Sequence, residues 1–257
     1  MTIDTTTHAT VHWAKETLHL LPEHALWWPA TKTLFIADLH LGKAATYRQL
    51  GQPVPAGSTQ DNLQRLAALI QQHSVQHLVF LGDFLHAATS RTPELLQALQ
   101  TWRQQHPAVR MTLVRGNHDS RAGDPPAQAQ IAVVDEPWPI GPFAACHHPQ
   151  SHPTHFVLAG HDHPVLHLRG PARDRLRLPC FVSDAAQATL PAFGAFTGGH
   201  PVTAAPGRRF HAVGGDRVWA VPAFFTQRAG ASQPSDLTQL LKQVQDRAQL
   251  PGDELAD

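Results

Sequence analysis

The 257-residue sequence is poor in cysteine and has no long apolar segment. Its two cysteines, Cys146 and Cys180, are too few for a disulfide framework, and their scarcity favours a reducing compartment. No apolar run approaches the ~20 residues that a membrane-spanning helix requires. The first residues also lack the basic and apolar regions of a secretory signal peptide. The composition therefore predicts a cytoplasmic protein without a membrane segment.

An excess of charge of either sign is also missing, because 20 basic residues balance 20 acidic ones. Proteins that coat nucleic acid carry a surplus of Lys and Arg, so any contact with nucleic acid must be local. The length favours one domain over residues 1–257, and a hydrophobic content of 42% is enough for a sizeable core. Residues 1–10 and 252–257 are predicted to be frayed ends. The sequence gives no indication of the oligomeric state.

Short apolar runs alternate with helical patterns along the chain. Segments 58–72 and 92–102 carry apolar residues at helical spacing, with Ser58 or Thr59 as the N-cap of the first and Thr92 as that of the second. A C-terminal helix is predicted over about 235–249. Strand-like apolar runs occupy residues 33–37, 77–81, 111–114, 142–146 and 155–159, and later ones occupy 165–169, 174–182 and 217–221. This order predicts an α/β layered domain whose later strands form a second sheet.

Histidine is abundant, with 19 residues, so position in the pattern matters more than the presence of any one histidine. Each of the first five apolar runs is followed directly by side chains that offer oxygen or nitrogen ligands. In layered α/β folds ligands bind at the carboxyl ends of the strands, so these side chains are expected to converge. They are Asp38 and His40, Asp83, Asn117 to Asp119, His147 and His148, and His161 and His163.

The mixture of carboxylate, amide and imidazole groups suits divalent metal ions. In D38-L-H40 and H161-D-H163 the two side chains are two residues apart, so in an extended segment they project to the same side. Asp83 follows a glycine and could reach far enough into the site to bridge two ions. Two ions ~3.5–4 Å apart clamp a phosphate and activate a water between them, so the pattern indicates phosphoester chemistry.

These blocks, in the order D-x-H, G-D, G-N-H-D, H and G-H-x-H, resemble the calcineurin-like metallophosphoesterase family. The resemblance implies an α/β fold, namely a four-layer αββα sandwich of two mixed β-sheets flanked by helices. It also implies hydrolysis of a phosphodiester by in-line attack of a metal-bridging hydroxide. The family pattern places one metal on Asp38, His40, Asp83 and His163 and the other on Asp83, Asn117, His147 and His161.

By the same resemblance, His118 is the catalytic histidine near the leaving group, as a general acid or an electrostatic stabiliser. Asp119 would orient His118 and support its charge. The ions are expected to be Mn²⁺, with Fe or Zn²⁺ as alternatives, since mixed nitrogen and oxygen ligands accept all three.

Segments D38-L-H-L-G-K-A-A-T46, L81-G-D-F-L-H86, C146-H-H-P149 and L190-P-A-F-G-A-F-T-G-G199 resemble one branch of this family, the bacterial metallophosphoesterases associated with an ATP-dependent DNA ligase. That branch implies DNA as the substrate, a role in DNA repair, and a ligase, a helicase and an exonuclease as functional partners. The same chemistry would also serve a phosphohydrolase of a small nucleotide or another phosphate ester.

Several residues remain open at this point. His147 is favoured over His148 as the ligand, with His148 as a pocket residue. His86 and Lys43 are candidates for substrate contact. The 193–199 segment is either a substrate-binding loop or a tight turn, and Arg173, Arg175 and Arg177 form either a solvated strand face or a phosphate-tracking stripe.

Two other classes of protein were compared with the pattern. A metallo-β-lactamase site needs an aspartate where this chain has Val165, which excludes that class. A catalytically silent scaffold that binds repair partners through the C-terminal helix would not need His118 or Asp83, and both are present.

Overall fold

The computed structural model describes residues 7–49, 51, 57–169, 175–195 and 197–221. The predicted C-terminal helix over 235–249, the end at 252–257 and Arg173 lie outside these ranges. Ala9 and Thr10 were expected in a frayed end, but they lie in a strand and pair with Leu20 and His19. The chain is therefore ordered from further upstream than the sequence predicted.

The first sheet contains seven strands in chain order among the described residues. The first four pair antiparallel, and the last four pair parallel, so the fourth strand belongs to both parts. Three of the predicted apolar runs are its central strands. The strands are β1 (Ala9–Trp13), β2 (Glu16–Leu21), β3 (Ala25–Trp28), β4 (Thr33–Ala37), β5 (His77–Leu81), β6 (Arg110–Val114) and β7 (Ala132–Val134).

The second sheet is also mixed. Its strands are β8 (Trp138–Ile140), β9 (Phe143–Ala145), β10 (Phe156–Ala159), β11 (Pro164–Arg169), β12 (Arg175–Ser183), β13 (Gln187–Thr189), β14 (His200–Pro201), β15 (Arg209–Gly214) and β16 (Arg217–Val221). In the described ranges their order is β14-β11-β12-β13-β10-β9-β8, and β15 pairs with β12 and with β16. The prediction of a second sheet after residue 164 is confirmed, although this sheet also includes β8 to β10.

The helices are α1 (Lys43–Gln49), α2 (Ser58–His73), α3 (Pro93–Gln105) and α4 (Asp119–Ala122). Helix α3 begins as predicted, because the Thr92 side chain accepts a hydrogen bond from the Leu95 N–H and Pro93 occupies the first turn. Helix α2 differs at its start: Ser58 is already helical, and the N-cap is Gly57, which offers no side chain for capping. None of the helices in the described part of the chain is long and apolar enough to span a membrane.

The central strands of the first sheet divide their side chains between two cores, because successive residues point to opposite faces. Leu34 and Ile36 pack with Leu66 of α2 and Leu99 of α3 on one face. Phe35 and the alternate positions of β5 and β6 pack on the other face against the second sheet, on Phe143, Leu158 and Phe181 among others. Burial of each such side chain contributes ~1.5–3 kcal/mol.

The two mixed sheets therefore lie face to face, with helices on the outer face of the first, which confirms the α/β class. Within the described residues the α-helices all lie between Lys43 and Ala122. The second helical layer of the predicted four-layer sandwich is not seen among the described residues, and the predicted C-terminal helix lies outside them.

Candidate metal centre

The predicted ligands meet at one edge of the sandwich. Strands β4, β5 and β6 are parallel, so their carboxyl ends and the loops after them lie side by side. Strands β9 and β10 are also parallel and bring their own loops to the same edge. Backbone hydrogen bonds join the loops within the first sheet, as His40 N–H donates to Asp83 O over 2.8 Å. A bond from His161 N–H to Asp38 Oδ2, of 2.9 Å, joins the two sheets.

One group of predicted ligands consists of Asp38, His40 and His163, here called the first cluster. His163 Nε2 lies 3.4 Å from Asp38 Oδ1 and 3.4 Å from His40 Nε2. The three side chains offer ligand atoms that all lie within 4.8 Å of one another. This is a spacing that a single ion can span.

The second cluster consists of Asn117, His147 and His161. His147 Nε2 lies 2.9 Å from Asn117 Oδ1 and 3.1 Å from His161 Nδ1. The Nδ1 atom of His147 donates to Leu81 O over 3.0 Å, so Nε2 carries the lone pair that faces the cluster.

Asp83 lies between the two clusters. Its Oδ2 atom is 3.6 Å from His40 Nε2, and its Oδ1 atom is 3.4 Å from His147 Nε2. The His118 N–H also donates to Oδ1 over 2.9 Å. The carboxylate is 2% exposed, so each oxygen faces one cluster in a nearly water-free setting.

The backbone at these residues is unusual. Asp38, His40, Asp83, His161 and His163 all have positive φ, between 43° and 69°. Residues other than glycine rarely adopt this left-handed backbone conformation. They concentrate at functional sites, because the surrounding structure must hold them in it. Five of the seven predicted metal ligands share it, which orients their side chains toward one point.

Glycines of the motifs leave the space that this packing needs. A Cβ atom at Gly82, where φ is +79°, would lie 2.0 Å from His147 Nδ1. A Cβ atom at Gly116 would lie 2.4 Å from Asp83 Oδ1. Close approach of neighbouring side chains therefore requires glycine at both positions, and at Gly82 the positive φ favours glycine as well.

The donor set fits divalent cations. Asp38 Oδ1 is fully buried and accepts no hydrogen bond from the described residues, a costly arrangement for a carboxylate without a counter-charge. Imidazole nitrogens also point at one another within each cluster, at 3.4 Å and 3.1 Å. A metal ion in each cluster would accept these lone pairs and satisfy the buried oxygen.

Burial governs the protonation of the histidines. It lowers the pKa of His40 and of His161, and Lys43 beside His40 and His147 beside His161 lower these pKa values further. Burial opposes protonation of His163 too, but Asp38 and the Thr197 carbonyl raise the pKa of His163 above its ordinary value. Neutral imidazole is the form that binds metal, so His40 and His161 are poised as ligands.

His118 stands at the open side of the centre. Its Nδ1 donates to His86 O over 2.7 Å, so Nε2 faces the centre, 4.0 Å from Asp83 Oδ2. Its side chain is 32% exposed, whereas Asp38, Asp83 and His147 are buried. The histidine is therefore held in one orientation and can reach a bound molecule.

The predicted partnership of Asp119 with His118 is not what the structure contains. The Asp119 carboxylate accepts hydrogen bonds from the N–H groups of Phe84, Leu85 and Gly116, at 2.9, 3.2 and 3.0 Å, and none from the His118 ring. Burial raises the pKa of Asp119 to about 6, with the charge of Asp83 adding to the rise and the three N–H groups opposing it. Its position at the start of α4 directs the carboxylate to the two loops, so it fastens them, and the His86 carbonyl orients His118.

His147 and His148 have different surroundings, although ligand atoms of His147, His148 and His161 all lie within 4.8 Å of one another. His147 is fully buried and points into the second cluster, whereas His148 Nδ1 lies 2.6 Å from Glu136 Oε1. Glu136 Oε2 also accepts from both backbone N–H groups, at 2.6 Å and 2.8 Å. Sequence reasoning missed Glu136, because a single acid before Pro137 carries no motif.

The clusters open into a cleft of about 370 Å³. Lys43 lines it and donates from Nζ to Thr197 O over 3.2 Å, whereas His86 stacks behind His118 with ring centres 5.1 Å apart. His200 and Asp162 line the cleft as well, and His200 was not predicted. Lys43 is thus placed for substrate contact, and His86 is placed to support His118.

The loop around residues 193–199 lies against the first motif. Phe193 N–H donates to Ala37 O and Gly194 N–H donates to Asp38 O, over 2.8 Å and 3.1 Å. The Thr197 carbonyl in turn accepts from Lys43 Nζ and lies 3.2 Å from His163 Nδ1. The loop is therefore part of the support of the first cluster.

Comparison with known proteins agrees with this geometry. The sequence model of the calcineurin-like phosphoesterase family matches residues 31–161, just over half of the chain. The chain belongs to this family, and it is accordingly a metal-dependent phosphoesterase. Among curated proteins, no significant match to the chain was found.

Two solved structures are similar to the chain. The crystal structure of the Pseudomonas putida nuclease MPE is 46% identical, with a TM-score of 0.75, and covers 83% of this chain and 100% of its own. The Escherichia coli phosphoesterase Yfce is 13% identical, with a TM-score of 0.35, and covers 76% of this chain and 94% of its own.

Proposed function

We propose that the protein is a dinuclear phosphodiesterase that cleaves DNA in a ligase-associated repair process. The observation that carries the dinuclear part is the position of Asp83, whose two oxygens face different ligand clusters at 3.6 Å and 3.4 Å. The 46% identity to a nuclease supports the nucleic-acid substrate. The resemblance of the motifs to the ligase-associated branch supports the repair role.

The first cluster with Asp83 would hold one ion, and the second cluster with Asp83 would hold the other. When bound, such ions supply Lewis acidity, which neutralises phosphate charge and lowers the pKa of water between them. Mn²⁺ is the proposed metal, with Fe or Zn²⁺ as alternatives that the same ligands accept.

The protein side chains divide the remaining work. His118 presents Nε2 to the cleft and would give a proton to the leaving oxygen, while its Nδ1–H stays on the His86 carbonyl. Lys43 lies at the cleft wall, where a cation would hold a non-bridging phosphate oxygen. Asp119 keeps the loops of Asp83 and Asn117 together.

The test compares three substrates with purified protein and Mn²⁺: a diaryl phosphodiester, an aryl phosphate monoester, and nicked or flapped DNA. The proposal expects turnover of the diester and of DNA to exceed turnover of the monoester. It also expects EDTA to abolish turnover of the diester and of DNA. Efficient turnover of nucleotides or monoesters with no cleavage of any DNA would contradict the DNA function. Absence of all turnover in wild-type protein and in His118→Ala alike would favour a scaffold.

A further inference from the structure

A second cavity lies beside the metal cleft and shares His163 with it; it is called here the side cavity. It has a volume of about 270 Å³ between the 192–198 loop and strands β11 and β12. Arg65 and Arg177 line it, and none of the described residues in its wall is acidic. The cleft itself has Asp83 and Asp162 in its wall. The side cavity is therefore the more favourable of the two for an anion in the absence of metal.

Arg177 makes this cavity continuous with an exposed face of the β11–β12 hairpin. In the register of the two strands Arg177 lies opposite His167, and the pair beyond them is Arg169 and Arg175. Arg177 and His167 are both exposed, and the Arg177 guanidinium makes one hydrogen bond to a described residue, to Gly199 O at 3.1 Å. The exposed Arg177 guanidinium, beside a cavity whose described wall has no acidic residue, favours a ligand of negative charge.

The other face of the same hairpin has a different composition. Leu166, Leu168 and Leu178 are buried there in an apolar cluster with Cys180 and Phe210. Basic residues are thus confined to the face that continues from the side cavity, which itself adjoins His163 of the first cluster.

Arg65 closes the far side of the cavity. Its guanidinium lies over the Phe193 ring, 4.1 Å from the ring centre, and donates to the Phe193 carbonyl. The Nε atom of Arg65 is buried without a hydrogen-bond partner among the described residues. This side chain anchors the loop that forms one wall of the side cavity.

We propose that the side cavity and the β11–β12 face of His167 and Arg177 bind the phosphate backbone of a nucleic-acid strand, next to the phosphodiester held in the metal cleft. The inference rests on the proposed function, since it concerns how the substrate strand runs from the same site. It gives the protein a local basic track although the formal net charge of the chain is zero. Binding is then expected to be weak in total and sensitive to salt.

The experiment uses the full-length protein loaded with Mn²⁺ and two variants of the track, Arg177→Gln and His167→Glu. Lys32→Gln is the control, because Lys32 is exposed. It precedes β4, whereas Asp38 follows the other end of the same strand. Binding of a fluorescent single-stranded oligonucleotide is measured by anisotropy at several salt concentrations. Hydrolysis of the same oligonucleotide and of a small diaryl phosphodiester is measured in parallel.

Arg177→Gln is expected to raise Kd and KM for the oligonucleotide severalfold and to reduce the salt slope of binding by about one, the effect of one lost phosphate contact. His167→Glu is expected to weaken binding at least as much, because it introduces a negative charge. Turnover of the small diester, which is too short to reach the track, should stay within twofold of wild type in every variant. The control should match wild type throughout.

The outcomes separate this inference from the proposed function. If DNA is cleaved but both track variants bind and cleave it as wild type does, the track is refuted and the nuclease function stands. If DNA binds in a manner that depends on Arg177 but is never cleaved, the track stands and the nuclease function fails. A parallel loss of small-diester turnover would show damage to the metal centre and would also refute a separate track.

Discussion

At the scale of single residues, Asp119 is a buried carboxylate that links two loops of the site through hydrogen bonds to their backbone. It is 1% exposed and accepts three backbone hydrogen bonds from two loops that carry Asp83 and Asn117. Hydrogen bonds to charged groups contribute ~1.5–3 kcal/mol each, and buried N–H groups left without a partner carry a similar cost. Its main contribution is therefore expected in stability.

Asp119→Ala is expected to lower the free energy of unfolding by at least ~3 kcal/mol, because three buried N–H groups lose their acceptor. Asp119→Asn keeps one acceptor oxygen and should cost less. Urea unfolding in EDTA measures the change without metal. A variant as stable as wild type, with a shifted pH profile of turnover instead, would restore the predicted role of Asp119 in supporting His118.

Asp83 is the residue on which the dinuclear proposal depends. Asp83→Asn is expected to reduce bound metal from about two ions per chain to one or fewer, measured by elemental analysis, because both clusters lose their shared carboxylate. Loss of outer partners of a metal site already costs ~10–100-fold, so turnover of the diester should fall at least about a hundredfold. Asp61→Asn, an exposed change on α2, is the matched control. Full metal content in Asp83→Asn would contradict a shared ligand.

At the scale of elements, the turn after β5 determines whether His147 can reach the site. Gly82→Ala places a Cβ atom 2.0 Å from His147 Nδ1, whereas Gly207 has the same φ of +79° with no atom within 4 Å. Both alanine variants carry backbone strain of ~1–3 kcal/mol. Only Gly82→Ala is expected to lose metal from the second cluster and the associated turnover. Equal losses in the two variants would assign the effect to strain alone.

The pairing of β5 with β6 contains a buried histidine far from the metal centre. His77 lies 2.9 Å from Thr112 Oγ1 through Nε2, and Arg110 donates to its Nδ1 over 2.7 Å. Both ring nitrogens are therefore used in the neutral form, and burial together with Arg110 lowers the pKa of His77 to about 4. Protonation would place two cations in contact at the start of the two strands.

Because the folded-state pKa lies below the unfolded value of 6.5, the stability from neutral His77 is complete above pH 6.5 and is lost as the pH falls toward 4. The loss is expected to reach ~1.4 kcal/mol per pH unit within that range. Chemical unfolding between pH 7.5 and 5 should show a smaller slope in His77→Gln than in wild type and in the exposed control His12→Gln. Identical pH dependence of the free energy of unfolding in all three proteins would contradict this contribution of His77.

The elements also show what the sequence could predict. The strands before each motif were predicted nearly to the residue, because runs such as 33–37 and 77–81 are buried on both faces and contain no alternation to confuse with a helix. The side chains that meet at the candidate site could be predicted from the motifs that end these strands. Short strands such as β13 and β14 could not, because their pairing depends on distant partners and not on local pattern.

The environment of the ligands was less accessible from sequence. A sequence motif identifies His118, because it specifies the residue type. It does not identify the hydrogen-bond partner of His118, because that partner is the backbone carbonyl of His86 and every residue has such a group. Glu136 supports His147 and His148 across the site from an unremarkable loop. Contacts of this kind follow from tertiary geometry, so a pattern of residue types does not contain them.

At the scale of the whole molecule, the candidate metal centre lies where two sheets meet. Asp38, His40, Asp83 and Asn117 follow strands of the first sheet, and His147, His161 and His163 follow strands of the second. An ion bound by ligands from both sheets resists their separation, so metal binding should act on global stability. A ligand at a hundredfold excess over its Kd adds ~2.7 kcal/mol for each site.

Mn²⁺ is accordingly expected to raise the Tm of the EDTA-treated protein in a saturable manner, by more in wild type than in Asp83→Asn. Hydrogen exchange should slow in β5 and in β10 together on addition of Mn²⁺, because the proposed ligands follow strands of both sheets. A rise in protection confined to the loops, with no change in either strand, would contradict global coupling through the centre.

The left-handed backbone at Asp38, His40, Asp83, His161 and His163 bears on transplanting this site into another scaffold. A designer who copied only the side chains onto ordinary strand ends would aim most of them away from one another, since each depends on a left-handed backbone conformation. The transferable unit is thus a set of loop conformations, together with the glycines and the buried aspartate that hold them. A host protein must therefore accept whole loops as well as new side chains. The need for these loops also makes such a site hard to acquire by single substitutions.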